Sequence, residues 1–67
     1  MTTEEIKEKL IIAGVKNLKE FGYPDVTTEN ILIDEVYKQF FIGMLDDNKG
    51  HGVLIDETIE ELKNKLQ

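Results

Sequence analysis

The chain contains no cysteine, no serine and no arginine, and it has a single histidine, His51. Without cysteine, disulfides and thiolate metal sites are excluded as supports for the fold. Without a cysteine or serine nucleophile, and with one histidine, no set of residues for nucleophilic or acid–base catalysis assembles. We therefore predict that the protein is not an enzyme and that it needs no cofactor.

Long apolar runs are also missing. None of them approaches the roughly 20 residues that cross a bilayer. Residues 1–9 are polar and charged, which excludes a signal peptide that starts at Met1. The sequence therefore predicts a cytoplasmic protein without a membrane partner.

Positive charge is scarce, because eight basic residues face fourteen acidic ones and the formal net charge is −6. Nucleic-acid affinity depends mainly on Lys and Arg that neutralise phosphates. Every basic residue here is a lysine, so the planar donor group that recognises phosphate and guanine is absent. We predict no nucleic-acid partner. An acidic balance favours solubility, cation binding or a basic partner.

The N-terminal third has the pattern of an amphipathic helix. Its apolar positions recur at spacings of three and four and place one stripe on one face: Ile6, Leu10, Ala13, Leu18 and Phe21. Thr2 followed by Glu5 fits a capping box at the start. Gly22 suits the left-handed position after the last turn, and Pro24 cannot continue the helix. The pattern predicts a helix that ends near residue 21.

A second helix is predicted over the most aromatic part of the chain, up to Gly50. Thr27 or Thr28 is placed to cap a short helical turn at residues 30–33 before it. Asp34 is then the expected N-cap of the second helix. An isolated strand over residues 31–33 is the alternative, but a lone strand leaves its backbone groups unpaired.

The last helix follows from a one-sided stripe formed by Ile55, Ile59, Leu62 and Leu66. Asp56 is its predicted N-cap. The chain of 67 residues is thus predicted to form one all-α domain, residues 1–67. Its architecture is a small three-helix bundle with an additional short helical turn before the second main helix. Gly14 and Gly43 are expected to lie where helices approach closely.

Residues 46–57, DDNKGHGVLIDE, have the length of a calcium-binding EF-hand loop. Asp46, Asn48 and Glu57 match the ligand positions 1, 3 and 12 of that loop. Gly50 and His51 do not match, because the loop needs an oxygen ligand at position 5 and a glycine at position 6. A degenerate calcium site at these three residues is therefore an alternative to an ordinary helix–helix link.

Large apolar residues are too numerous for one small core. Some of them should form an exposed patch, which marks an interface. The predicted interface consists of Ile12, Tyr23, Ile33, Phe41 and Ile42. The leading functional hypothesis is a protein-interaction module, with a homodimer as one form of that contact. An acidic inhibitor that mimics DNA is a further alternative, and it predicts carboxylates arrayed on one face.

The block NLKEFGYPDVTTENIL, followed by VYKQFF, ML and DNKG, resembles short uncharacterised open reading frames carried by phages and prophages. The resemblance covers residues 15–50. It implies a small intracellular accessory protein, such as an inhibitor or adaptor that acts through protein contacts. It carries over no functional residues.

Overall fold

A computed structural model describes residues 2–67. It contains the helices α1 (Thr3–Glu20), α2 (Glu35–Asp47) and α3 (Val53–Leu66), and a 3₁₀ turn (Asn30–Leu32) precedes α2. Within residues 2–67 there is no strand, and no helix is long and apolar enough to cross a membrane. The predicted three-helix bundle with an extra helical turn before the second main helix is confirmed.

Local hydrogen bonds fix both ends of α1. The Thr2 hydroxyl accepts from the Glu5 N–H at 3.2 Å, and the Glu5 carboxylate accepts from the Thr2 N–H at 3.1 Å. At the other end Gly22 takes a φ of 103°, which a residue with a Cβ rarely adopts. The Tyr23 N–H then donates to the Leu18 carbonyl at 3.0 Å and closes the last turn. The predicted capping box and glycine stop are both confirmed.

The link between α1 and α2 is also built from local bonds. The Thr27 hydroxyl accepts from the Asn30 N–H at 3.0 Å, and the Asn30 side-chain oxygen accepts from the Thr27 N–H at 2.7 Å. Asp34 caps α2, since its carboxylate accepts from the N–H groups of Val36 and Tyr37 at 3.0 and 3.2 Å. The N-cap position of the 3₁₀ turn is Glu29, and neither threonine occupies it, although Thr27 bonds to the first residue of the turn. The Asp34 cap of α2 is confirmed.

The start of α3 differs from the prediction. Its N-cap is Gly52, with a φ of 135°, and Asp56 lies inside the first turn. The Asp56 carboxylate instead accepts from the Gly50 N–H at 2.9 Å. Glycine adopts this positive φ readily, whereas residues with a Cβ rarely do, so Gly52 lets the chain turn directly into the helix. The prediction of Asp56 as the N-cap is wrong.

The core lies where the three helices and the 3₁₀ turn meet. Its buried members are Leu18, Val26, Ile31, Phe41, Leu45, Ile59 and Leu62. Gly14 allows α1 to come close to this cluster, because a Cβ on it would lie 2.7 Å from Phe41 Cδ1. A Cβ on Gly43 would meet nothing within 4 Å. The prediction of tight packing is therefore confirmed at Gly14, and it is wrong at Gly43 within the single chain.

Candidate interaction surface

Large apolar side chains remain at the surface after the core is filled. They are Ile12, Phe21, Ile33, Val36, Phe40, Val53 and Leu54. The Phe21 side chain is 70% exposed and that of Ile33 is 75% exposed. More apolar side chains are thus present than the core of this chain encloses, as the sequence indicates.

The five residues predicted as the interface do not share one environment. Ile12 and Ile33 are exposed, and Tyr23 is half-buried. Phe41 is 1% exposed and Ile42 is 9% exposed, so neither presents a side chain to a partner. The prediction is wrong for these two residues, because α2 turns them inward, and Phe41 lies against Gly14 and Ile31.

Four aromatic rings meet where α1 ends, and we call Phe21, Tyr23, Tyr37 and Phe40 the aromatic corner. The rings of Phe21 and Phe40 have centroids 5.6 Å apart. Tyr23 contacts Phe40 and Tyr37 edge to face, with centroid distances of 5.8 Å in both pairs. Such pairs stabilise each other beyond simple burial. The corner is therefore an ordered apolar surface, and Tyr23 belongs to it.

An open groove runs between α1 and α2 from the aromatic corner. Its volume is about 720 Å³, and we call it the α1–α2 groove. Its lining comprises apolar and small residues, two amide side chains and two carboxylates from the last turn of α2: Gly14, Leu18, Phe21, Phe40, Phe41, Gly43, Met44, Asn17, Gln39, Asp46 and Asp47. Sequence reasoning missed Phe21 and Phe40 as surface residues. Phe21 had one signal, its place beside the stop glycine Gly22 at the helix end.

Lysines lie between the carboxylates on the neighbouring face of the bundle. Lys63 pairs with Asp46 at 2.6 Å, and Lys49 pairs with Glu60 and also with Asp46. The Lys63 hydrogen bond lowers the pKa of Asp46, and the Lys49 hydrogen bond lowers the pKa of Glu60. The bond to Glu60 likewise raises the pKa of Lys49.

The same pairing extends to α1, where Lys7 contacts Glu61 of α3 at 3.0 Å. The hydrogen bond that Lys7 donates to the Glu61 carboxylate is the main reason that the pKa of Lys7 is raised. Carboxylates interleaved with ammonium groups do not form a continuous row of negative charge. The DNA-mimic hypothesis stays a prediction, and this arrangement does not favour it.

The three predicted calcium ligands occupy different settings. Asp46 is held in its ion pair with Lys63, and the Asn48 amide donates to the Met44 carbonyl at 2.8 Å. Glu57 lies on α3, which follows α2 after only residues 48–52. No group of three or more His, Asp or Glu side chains within residues 2–67 has the arrangement of a metal site. The calcium site stays a prediction that no contact favours.

Comparison with protein-family models, curated proteins and solved structures found no match to the chain. The resemblance to phage-type reading frames therefore stays a prediction. The aromatic corner and the α1–α2 groove form the surface of this fold that bears on function.

Proposed function

We propose that this chain is a protein-interaction module that acts by contact with another polypeptide. The aromatic corner carries the proposal, since Phe21 is 70% exposed at the end of α1 while the core is filled by other residues. Contiguous apolar patches on small monomers mark interaction sites, and buried aromatic anchors supply much of the binding energy in interfaces.

The setting of this contact follows from the sequence predictions. The chain acts as a small acidic cytoplasmic protein, of the accessory or inhibitor kind that the phage-type resemblance implies. A homodimer is one form of the contact. Ile12 and Ile33 are exposed as well, so their side chains are also available to a partner.

Chemical cross-linking in the native cell, followed by affinity capture, tests the proposal. Wild type is compared with Phe21→Glu, which places a charge on the aromatic corner, and with the control Val53→Thr. Val53 is exposed at the first position of α3 and lies outside the corner. We expect cross-linked complexes in wild type and in the control, and their loss in Phe21→Glu.

Sedimentation velocity over a range of concentrations completes the test, because it detects self-association without a foreign partner. Circular dichroism checks that each variant keeps its helices. A chain that sediments only as a monomer and forms no cross-link that depends on Phe21 contradicts the proposed function.

A further inference from the structure

The α1–α2 groove is lined in part by an exposed glycine that the fold of the single chain does not require. Gly43 lies in the interior of α2, where glycine costs about 1 kcal/mol relative to alanine. A Cβ there would meet nothing within 4 Å, so no contact inside the chain explains the missing side chain. A glycine on a helix face lets another backbone approach closely. The position is therefore suited to contact with a second helix from outside.

The end of the groove at the C-terminus of α2 is negative. The last turn of α2 has no basic residue, and Asp46 and Asp47 line the groove there. The last carbonyl groups of a helix add partial negative charge. Lys63 and Lys49 pair with Asp46, whereas no ion pair within residues 2–67 involves Asp47. This end of the groove thus favours a cation from the occupant.

We propose that the α1–α2 groove receives one amphipathic helix of a partner protein, with its apolar stripe over Gly43 and a Lys or Arg beside Asp47. This inference rests on the proposed function, and it names the partner's chemistry. Gly14 and Phe21 both line the groove and are seven residues apart on α1, which is roughly 10 Å or two helical turns. A helix that presents anchors at positions i, i+3 or i+4, and i+7 fits that length.

A second copy of the chain is a poorer occupant. Each copy has a formal net charge of −6, so two copies repel each other. The outer face of α1 does offer Ile12 beside Lys16 and Lys19. If that face entered the groove of the next copy, however, the two surfaces would differ, and the head-to-tail contact would build a ring or an open chain of copies instead of a two-fold dimer.

Selection from a displayed library of helical peptides tests this inference. The library holds a constant helical scaffold, with the positions on one face randomised, and wild-type protein is the bait. We expect enriched peptides to combine apolar residues at helical spacing with Lys or Arg at one end. A synthetic peptide of the enriched sequence is then titrated against each variant by fluorescence anisotropy.

Three variants locate the peptide. Gly43→Leu fills the groove and should weaken binding by about tenfold or more, the effect of losing roughly 1.4 kcal/mol. Gly43→Ala adds one methyl group and should weaken it less. Asp47→Asn should weaken it by about two- to fivefold, with a smaller salt dependence. Val53→Thr is the control that should bind as wild type does, and thermal melting verifies that every variant is folded.

Other outcomes separate this inference from the proposed function. Enrichment of acidic or uncharged peptides, no enrichment at all, or equal binding by Gly43→Leu and wild type overturns the basic-helix occupant. Self-association that Gly43→Leu abolishes and Gly43→Ala retains makes a second copy the occupant. That result overturns the inference and leaves the proposed function standing.

Discussion

Gly14 and Gly43 both stand in the interior of a helix, and they line the same groove, but their surroundings differ. Gly14 is buried, and a Cβ on it would lie 2.7 Å from the Phe41 ring and 3.0 Å from Ile31 Cδ1. Gly43 is exposed, and a Cβ on it would meet open space. The first glycine serves packing within the chain, and the second does not.

Glycine therefore has a different role at each of these two helix positions. At Gly14 the helix cost of glycine is offset by the close approach of α1 to the core, which buries Phe41 and Ile31. At Gly43 the same cost has no compensation inside the chain, so we infer a compensation from outside.

Phe41→Ala should produce the largest loss of stability. The substitution removes a ring that is 1% exposed and that packs against Gly14 in the core. Phe-to-Ala substitutions in cores cost about 3–5 kcal/mol, a large part of the 5–15 kcal/mol typical of whole domains. Phe21→Ala, at a site 70% exposed, should cost less than about 1 kcal/mol. Urea unfolding measures both, and equal losses would show that Phe41 is a surface residue after all.

Gly14→Ala should destabilise the fold although it removes a glycine from a helix. Overpacking costs about 1–3 kcal/mol, and the gain in helix propensity returns only about 1 kcal/mol. Adding Phe41→Leu, which shortens the side chain above Gly14, should make the two losses less than additive. A double-mutant cycle from urea unfolding measures this coupling. Simple additivity would mean that Gly14 and Phe41 are not in contact.

Gly43→Ala should have the opposite sign. The new methyl group meets no atom within 4 Å, so only the helix propensity changes and the free energy of unfolding should rise by about 1 kcal/mol. Thermal and urea unfolding of the isolated chain measure the gain. A loss of stability here would show that the surroundings of Gly43 are already packed, and the contrast with Gly14 would disappear.

The smallest effect concerns pH at the acidic end of the groove. The hydrogen bond from Lys63 lowers the pKa of Asp46 in the folded chain. Its contribution to stability is therefore present above the ordinary carboxyl pKa of about 4 and is lost as pH falls through the lowered value. Asp46→Asn should make the acid side of the stability–pH curve shallower. Lys63→Gln should also make it shallower, because the hydrogen bond from Lys63 is the main cause of the lowered pKa of Asp46. An acid side that stays unchanged in either variant would contradict the pairing.

Much of the fold could be predicted because its signals are local. The Thr2–Glu5 capping box, the Gly22 stop and the Asp34 cap each join residues at most a few positions apart. Their hydrogen bonds form between residues that are close in the chain, so the amino-acid sequence is enough to predict them. The periodic apolar stripes likewise predict three helices, since each stripe is a property of one segment.

In the segment QFFIGML, the apolar pattern does not indicate which side chains are buried. Apolar residues surround this part of α2, so periodicity alone does not decide which of Phe40, Phe41 and Ile42 faces the core. In the fold Phe41 and Ile42 are buried, and Phe40 is 41% exposed at the aromatic corner. The prediction of an interface at Phe41 and Ile42 is therefore wrong, because the faces of α2 are chosen by where α1 and α3 cross it.

Residue order alone predicts the three helices, most of their ends and an excess of apolar side chains over one small core. The packing of distant segments selects the apolar residues that stay outside, covers Gly14 and leaves Gly43 open to a groove. The cause is the separation along the chain between the atoms that interact. Caps and stripes depend on atoms within a few residues of each other, whereas burial depends on contacts between segments far apart in the chain, such as Gly14 with Phe41.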